Sequence, residues 1–425
     1  MRYWIWSLPF ALVALATASP AAPTYSLGFP SERFGANAGD QFGVSVACCD
    51  LDRDGVAETL VGARDADPNG VPDAGSVFIY SGRDGHLLKR LDGTVPSGVF
   101  GISIACCDVN RDGRPDVLVG AANEGRVYVY SGKDWRVLFQ LEAPPGAWQS
   151  GNSLACADVN RDHYPDIITG APNFGVTGSG AGRVTVYSGK NGAVIREFDG
   201  GESGDQFGLS VAAGDINRDG YADIYVGAPR SDAGGHVDAG RLTVFSGKTG
   251  AVIRTFAGLA AGDNLGGATT SCDMNRDHYA DILIGAHAVD ANGILDAGSI
   301  FVYSGRNGTL LRRLDGAAVA DHLGYSLACG RVDGDKVPDI VSGSIQEEIP
   351  PPNTFERVWL YSGKSGVLLQ RIEQAAKGDL FGLKLALCEN RAGKATALLV
   401  AAPFADPGDR DKAGILWQFS VIKTR

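Results

Sequence analysis

Apolar residues recur along this chain in short, β-branched runs. Ile282-Leu283-Ile284 and Arg241-Leu242-Thr243-Val244-Phe245 are typical, each bounded by Gly, Ala, Ser or Asp. Such runs predict short strands. No long segment carries apolar residues at helical spacing, so almost no helix is expected. Hairpin turns are explicit at Ser188-Gly189-Lys190-Asn191-Gly192 and Ser304-Gly305-Arg306-Asn307-Gly308. There Asn-Gly is expected to supply the positive φ angles of a tight connection.

The pattern repeats. Seven copies of one unit begin near residues 39, 98, 149, 204, 262, 320 and 378. Each opens with a Gly-Asp-x-Phe-Gly-like segment and an apolar strand. An acidic loop, a second strand ending in Gly-Ala-Pro or similar, and a variable stretch follow. A strand ending near Tyr-Ser-Gly-Lys, a turn and a last strand complete the unit. The acidic loops begin at Asp50, Asp108, Asp158, Asp215 and Asp273, with counterparts at Arg331 and Glu389, giving spacings of 58, 50, 57, 58, 58 and 58 residues. Four strands at such a period predict an all-β, seven-bladed β-propeller of four-stranded antiparallel blades. The last copy lacks its fourth strand after Ile415-Leu416-Trp417-Gln418-Phe419, while Tyr25-Ser26-Leu27-Gly28-Phe29 precedes the first copy without a unit of its own. Pairing that N-terminal strand into the last blade closes the ring and removes two open edges.

Composition narrows the function classes. The 425 residues carry 38 basic and 49 acidic side chains, a formal charge of -11, with 59 Gly and 2 Met. An acidic chain without a basic patch argues against nucleic acid and suits metal cations. Arg2, the apolar run Tyr3 to Ala16 and the small residues Ala16-Thr17-Ala18 read as a signal peptide over residues 1–18, leaving 19–425 as a single propeller domain. The expectation is a secreted, extracellular protein (periplasmic or at the cell surface if the source is bacterial) with no membrane span after cleavage. Eight cysteines, Cys48, Cys49, Cys106, Cys107, Cys156, Cys272, Cys329 and Cys388, each fall one or two residues before an acidic loop or its counterpart. Two readings stay open: disulfides between neighbouring repeats, or small apolar residues at a crowded position.

The acidic loops carry the clearest chemistry. The first offers Asp50, Asp52, Asp54 and Glu58. The next four offer Asp108, Asn110, Asp112 and Asp116; Asp158, Asn160, Asp162 and Asp166; Asp215, Asn217, Asp219 and Asp223; and Asp273, Asn275, Asp277 and Asp281. Oxygen ligands at positions 1, 3, 5 and 9 suit Ca²⁺, which takes six to eight hard oxygens in flexible geometry, better than octahedral Mg²⁺. An EF-hand needs Glu at position 12 and flanking helices. Here that position holds Val61, Val119, Thr169, Val226 and Ile284, between strands. Five recurrences of one spacing also argue against plain solvated turns. About five calcium sites are expected. His163 and His278 stand where other loops have Gly at position 6, a left-handed position that His tolerates. In the sixth loop Arg331 replaces the first acid, and its guanidinium is expected to stand in for the ion by pairing with Asp333, Asp335 and Asp339. The seventh loop, Glu389 to Ala397, retains almost nothing of the pattern.

Phe42-Gly43, Phe100-Gly101, Phe207-Gly208 and Phe381-Gly382, with Gly170-Ala171-Pro172 and Gly227-Ala228-Pro229, resemble the FG-GAP repeats of the integrin α-subunit propeller. The resemblance implies calcium loops on the lower face and partner contacts on the opposite one. Leg domains, a membrane anchor and an inserted adhesion domain are not expected, so a stand-alone exported form fits better than a heterodimeric receptor.

In a four-stranded blade the 1–2 and 3–4 loops share one face and the 2–3 loops and blade links share the other. The 2–3 loops differ between copies, from Ala122-Asn123-Glu124-Gly125 to Arg64–Gly75, Pro229–Gly240, His287–Gly298, Ser344–Glu356 and Pro403–Gly414. Such divergence suits a recognition surface. Asp73, Asp238 and Asp296 are expected to cap the turn into strand 3. Two functions follow: a non-enzymatic adhesion module for a protein or glycan ligand, or an extracellular hydrolase or lyase with its active site on a propeller face. The six His show no Ser/His/Asp order or nucleophile motif, which favours the binding module.

Overall fold

The computed structural model describes residues 25–143, 149–175, 179–344, 356–374, 378–390 and 392–423; the signal peptide expected at residues 1–18 lies outside them. Seven four-stranded antiparallel sheets form the blades. Blades 1 to 6 each use four consecutive strands, over 42–92, 100–142, 153–199, 210–257, 268–315 and 326–374. The seven-bladed propeller expected from the repeat period is thus what forms. The expected strands are present as Asp281–Ala286 and Arg241–Phe245. Among the described residues helical structure is confined to the 3-10 turns Pro68–Gly70, Ala122–Glu124, Ala233–Gly235 and Pro407–Asp409.

Blade 7 takes three strands from the C-terminal copy, Lys384–Glu389, Ala395–Ala402 and Ile415–Lys423, and its outer strand from Tyr25–Phe34. The pairing runs antiparallel from Tyr25 opposite Lys423 to Phe34 opposite Ile415, with an irregularity between Leu27 and Pro30. Pro30 cannot donate to a ladder, so a break in register suits it. The strand therefore reaches five residues beyond the expected Phe29. Trp417 Nε1 donates to Glu32 Oε1 at 2.9 Å, and Arg33 donates to Gln418 Oε1 at 2.9 Å.

Each inner strand packs on the inner strands of both neighbours. The second strand of blades 1 to 6 is buried along its whole length, whereas the fourth strands are mostly exposed or half-buried. Core clusters span adjoining blades; one joins Leu60, Val77 and Ile79 of blade 1 to Phe100, Val117 and Val119 of blade 2. Burying that surface supplies most of the stability, at about 25 cal/mol per Å². The glycines of the repeat set the blade spacing. A Cβ on Gly62, Gly120, Gly170, Gly227, Gly285 or Gly343 would run into the carbonyl of Gly101, Gly151, Gly208, Gly266, Gly324 or Gly382 of the next blade. The seventh junction differs: Ala401 stands opposite Gly43.

The cysteines resolve in favour of disulfides. Cys48–Cys388, Cys49–Cys106, Cys107–Cys156 and Cys272–Cys329 all join neighbouring blades, and no cysteine is free. One rule covers them. The residue just before the loop of one blade bonds the residue two before the loop of the next, because successive strand positions face opposite neighbours. Blades 7, 1, 2 and 3 become one covalent arc, blades 5 and 6 another. At the junctions left open the same positions hold Ala157 and Ala213, Gly214 and Ser271, and Gly330 and Leu387.

The hairpin turns depart from the expected type. Gly192 donates its backbone N–H to Ser188, and Gly308 to Ser304, both at 2.7 Å. Only the glycine takes positive φ, at 73° and 75°. The Asn side chain instead accepts from the residue two further on, at 3.0 Å in both turns.

Candidate metal centres

The five acidic loops are built by their own side chains. The residue at position 3 accepts from the N–H at position 5, at 3.0, 2.8, 2.8, 2.9 and 2.9 Å for Asp52, Asn110, Asn160, Asn217 and Asn275. The acid at position 5 accepts from position 7, at 2.8, 3.0, 2.9, 3.0 and 3.0 Å for Asp54, Asp112, Asp162, Asp219 and Asp277. The first Asp accepts through Oδ2 from position 6, for example from Gly220 to Asp215 at 3.0 Å. These are Asx turns in series. Position 6 is left-handed throughout. His163 and His278 take φ of 70° and 68° beside 90°, 88° and 82° at Gly55, Gly113 and Gly220, so His is tolerated there as expected.

The position-9 acid begins the buried second strand. Glu58 is 1% exposed and Asp116, Asp166, Asp223 and Asp281 are 0% exposed. Its carboxylate accepts from the backbone of its own loop and, in loops 2 to 5, from the glycine of the 3–4 turn, as Asp223 does from Ile216 and Gly247, both at 3.2 Å. Burial pushes these carboxyls up, to about 6 for Asp116, Asp223 and Asp281 and about 7 for Asp166. Their backbone donors oppose the shift, and the neighbouring loop carboxylates add to it. A nearby cation would relieve both burial and crowding.

Two oxygens test whether a cation fits. Asp108 Oδ1 and Asp215 Oδ1 are buried and lack a hydrogen-bond partner among the described residues. A buried carboxylate oxygen left that way is costly unless something charged meets it. In the first loop, oxygens of Asp50, Asp52 and Glu58 lie within 4.8 Å of one another. Its fourth expected ligand, Asp54, also accepts from Arg83 of the same blade. Carboxylate and amide oxygens alone make up the side-chain donor set, the chemistry of a hard cation.

The sixth loop departs from its expected design. Arg331 does not pair with Asp333, Asp335 or Asp339. Its guanidinium donates to the backbone carbonyls of Gly393, at 2.6 Å, and Ala392 in the next blade. The loop acids already accept from backbone: Asp333 from Asp335 at 2.9 Å, Asp335 from Val337 at 2.7 Å, and Asp339 from Val332 and Asp333 at 2.8 Å. With those bonds made, the guanidinium gains more from open carbonyls next door.

Arginine also links the intact loops, which spacing arguments missed. At position 4 a left-handed arginine recurs as Arg53, Arg111, Arg161, Arg218 and Arg276. Arg111, Arg161 and Arg218 lie over Tyr164, Tyr221 and Tyr279 of the next loop at 5.4, 5.8 and 5.4 Å. Lys190, Lys248 and Arg306 approach the same rings from the 3–4 turns at 5.6, 5.4 and 5.6 Å. Each tyrosine thus meets two cations, and the acidic loops and 3–4 turns share one face. The recurring Asn-Arg-Asp was the signal for this contact.

Residues 207–245 match the FG-GAP repeat, and residues 50–119 and 108–169 match the FG-GAP-like repeat. The chain carries FG-GAP repeats. Among curated proteins, phosphatidylinositol-glycan-specific phospholipase D of Bos taurus is 33% identical over 155 residues, covering 33% of this chain and 18% of the relative. Integrin alpha-V of Gallus gallus is 31% identical over 180 residues, 38% of this chain and 17% of the relative. Integrin alpha-7 of Mus musculus is 36% identical over 151 residues, 33% and 12% respectively. The matched stretch spans less than a fifth of each relative's length.

The opposite face of the ring is more regular than its sequences suggest. Arg64–Gly75, Pro229–Gly240, His287–Gly298 and Pro403–Gly414 share one conformation. In each, the closing glycine donates to the third residue of the loop, at 2.9, 2.9, 2.9 and 3.0 Å. Asp73, Asp238 and Asp296 do not cap the turn. They are left-handed, at φ 49°, 51° and 49°, and donate their own N–H to Asp67, Asp232 and Asp290 at 2.8, 3.0 and 2.9 Å. The capping acid lies six residues earlier. Most of the expected long loop of blade 6 falls at 345–355, outside the described residues.

Proposed function

We propose that this chain is a calcium-stabilised extracellular recognition module, holding Ca²⁺ in its first five acidic loops and offering the opposite face to a protein or glycan ligand. The buried, unpartnered oxygens Asp108 Oδ1 and Asp215 Oδ1 carry the metal part of the reading. They occur at position 1 of loops with four oxygen-bearing side chains, and hard oxygens gathered on one loop favour Ca²⁺. Four disulfides support an oxidising compartment. Among the described residues no helix is long and apolar enough to cross a membrane. The named integrin relatives support a role in binding, and the phospholipase D relative matches over only 18% of its length. Metal analysis of the dialysed protein, with calcium titration by calorimetry, tests the metal part. Five equivalents are expected, and none would sink it. Glycan and matrix-protein arrays, probed with and without chelator, test recognition: reproducible capture is expected, and capture of no ligand in calcium would count against it.

A further inference from the structure

A cavity of about 660 Å³ opens where the seven inner strands meet, lined by residues from every blade. Its walls come from the starts of the inner strands and from the links and 2–3 loops beside them, so it lies away from the acidic loops. The chain has 49 acidic residues, yet none lines this cavity. Its charged lining is cationic, Lys384 and Arg230, and His287 and His322 stand beside them.

Lys384 is an exception to the repeat. Ser45, Ser103, Ser153, Ser210 and Ser326 occupy its position in five other blades, and each donates Oγ–H to the facing glycine carbonyl of the next blade, at 2.7, 2.6, 2.8, 2.8 and 2.6 Å. Each of those serines also lies against the glycine paired with it on the second strand, where a Cβ would collide with Oγ. In blade 7 the paired residue is Ala401, and Lys384 replaces the serine. Serine latch and glycine are exchanged together for a cation. Lys384 is accessible from the cavity, while the surrounding protein desolvates its ammonium and lowers its pKa. No carboxylate pairs with it among the described residues. Arg230 stands exposed at the mouth, also outside any described ion pair.

The rest of the lining favours hydroxyls. With their protons directed at glycine carbonyls, the serine oxygens can only accept; Ser326 Oγ already does so from Gly343 N–H at 3.2 Å, and Ser153 and Ser210 are the more open of the five. His322 Nδ1 lies 3.1 Å from the His287 carbonyl, so Nδ1 is the donor and Nε2 remains for a ligand. Burial, with the charge of His322 as a smaller cause, pulls His287 down to about 4, so that ring is neutral and packs on Tyr325 at 5.0 Å. From this arrangement we infer that the cavity binds a small acidic sugar of the uronic acid class, its carboxylate held by Lys384 and drawn in by the positive field to which Arg230 adds, its hydroxyls on the serine ring. The volume falls within the ordinary range for a small-ligand site. This goes beyond the recognition module proposed above and stands even if no macromolecule docks on that face.

Calorimetric titration of the intact protein in calcium, with D-glucuronate, D-glucose and inorganic sulfate as separate probes, tests it. Glucuronate should saturate at one equivalent, with glucose and sulfate at least about tenfold weaker. Lys384→Met keeps the stem and removes the charge, and should weaken glucuronate at least about tenfold, while Lys384→Arg should stay within about threefold. Arg230→Gln, at an exposed site that does not bear on folding, should weaken it about threefold. Equal binding of glucose or sulfate, undiminished binding by both neutral variants, or no glucuronate binding by the folded wild type would overturn the assignment.

Discussion

The fourth and sixth acidic loops have almost the same backbone hydrogen bonds. Positions 3 and 5 close Asx turns in both, through Asn217 and Asp219 in one and Asp333 and Asp335 in the other. Asp223 and Asp339 both begin a fully buried strand and both accept from the glycine of the 3–4 turn, at 3.2 and 3.1 Å. The loops part at position 1, and at position 6, where Gly220 is left-handed at φ 82° and Lys336 is not. Asp215 turns one oxygen to Gly220 and leaves the other buried and unpartnered, whereas Arg331 leaves its loop for the carbonyls of the next blade. The side-chain turns are therefore enough to shape the loop. Position 1, together with the left-handed position 6 that donates to its Asp, separates a shaped turn from a candidate cation site.

The harshest way to break this comparison is to take the metal away. At millimolar calcium and a site constant near 10⁻⁴ M each site adds about 1.4 kcal/mol, so five add about 7 kcal/mol. EDTA should lower the calorimetric melting midpoint by many degrees, and an unchanged midpoint would end the metal reading. A smaller effect concerns protons. Burial raises the Asp339 carboxyl from its ordinary 3.8 to about 6. A carboxyl with a raised folded pKa binds protons in the native state first, so its contribution to stability is lost as pH rises through that range. Between pH 4 and 7 the stability of the wild type relative to Asp339→Asn should fall by about 2 kcal/mol. With no ion to compete in the sixth loop, that fall should persist in saturating calcium; denaturant melts across pH would show whether it does.

Single sites should divide as the loops do. Asp215→Ala should remove one calcium equivalent and about 2 kcal/mol, while Asp333→Ala should leave the calcium count unchanged. Equal calcium loss from both variants would erase the distinction between the loops. The smallest effect is a restoration. Arg331→Asp should raise the calcium count by one while changing stability by about 1 kcal/mol or less, because a new site offsets the lost contact with blade 7.

Much of this architecture was legible because it repeats. The spacing of the acidic loops gave seven blades, and the unpaired Tyr25–Phe29 segment gave the closing strand. Left-handed His163 and His278 followed from their place in the loop. What escaped depended on which way a side chain turns. Nothing in one sequence says that Arg331 prefers open carbonyls next door to carboxylates already engaged by backbone. Cysteine positions were plain, but pairing the residue before one loop with the residue two before the next requires knowing which neighbour each strand face meets. The long 2–3 loops looked divergent because their side chains differ. Their common shape rests on an early aspartate, a left-handed residue six positions later and a closing Ala-Gly. Lys384 passed unnoticed because its distinction appears only against the serines of the other blades.

The strand that closes blade 7 also sets a timetable. Blades 1 to 6 are made of strands adjacent in sequence and can assemble as hairpins while the chain is being made. Residues 25–34 are synthesised before any blade exists and meet their partner only when residues 415–423 arrive. At ordinary translation rates that wait is roughly 20–80 s. Throughout it the first strand is an unpaired edge and the growing ring an open arc, so the last contact to form has the greatest sequence separation in the fold. Agents that bind extended segments, chaperones among them, have their longest opportunity at the very strand on which closure depends.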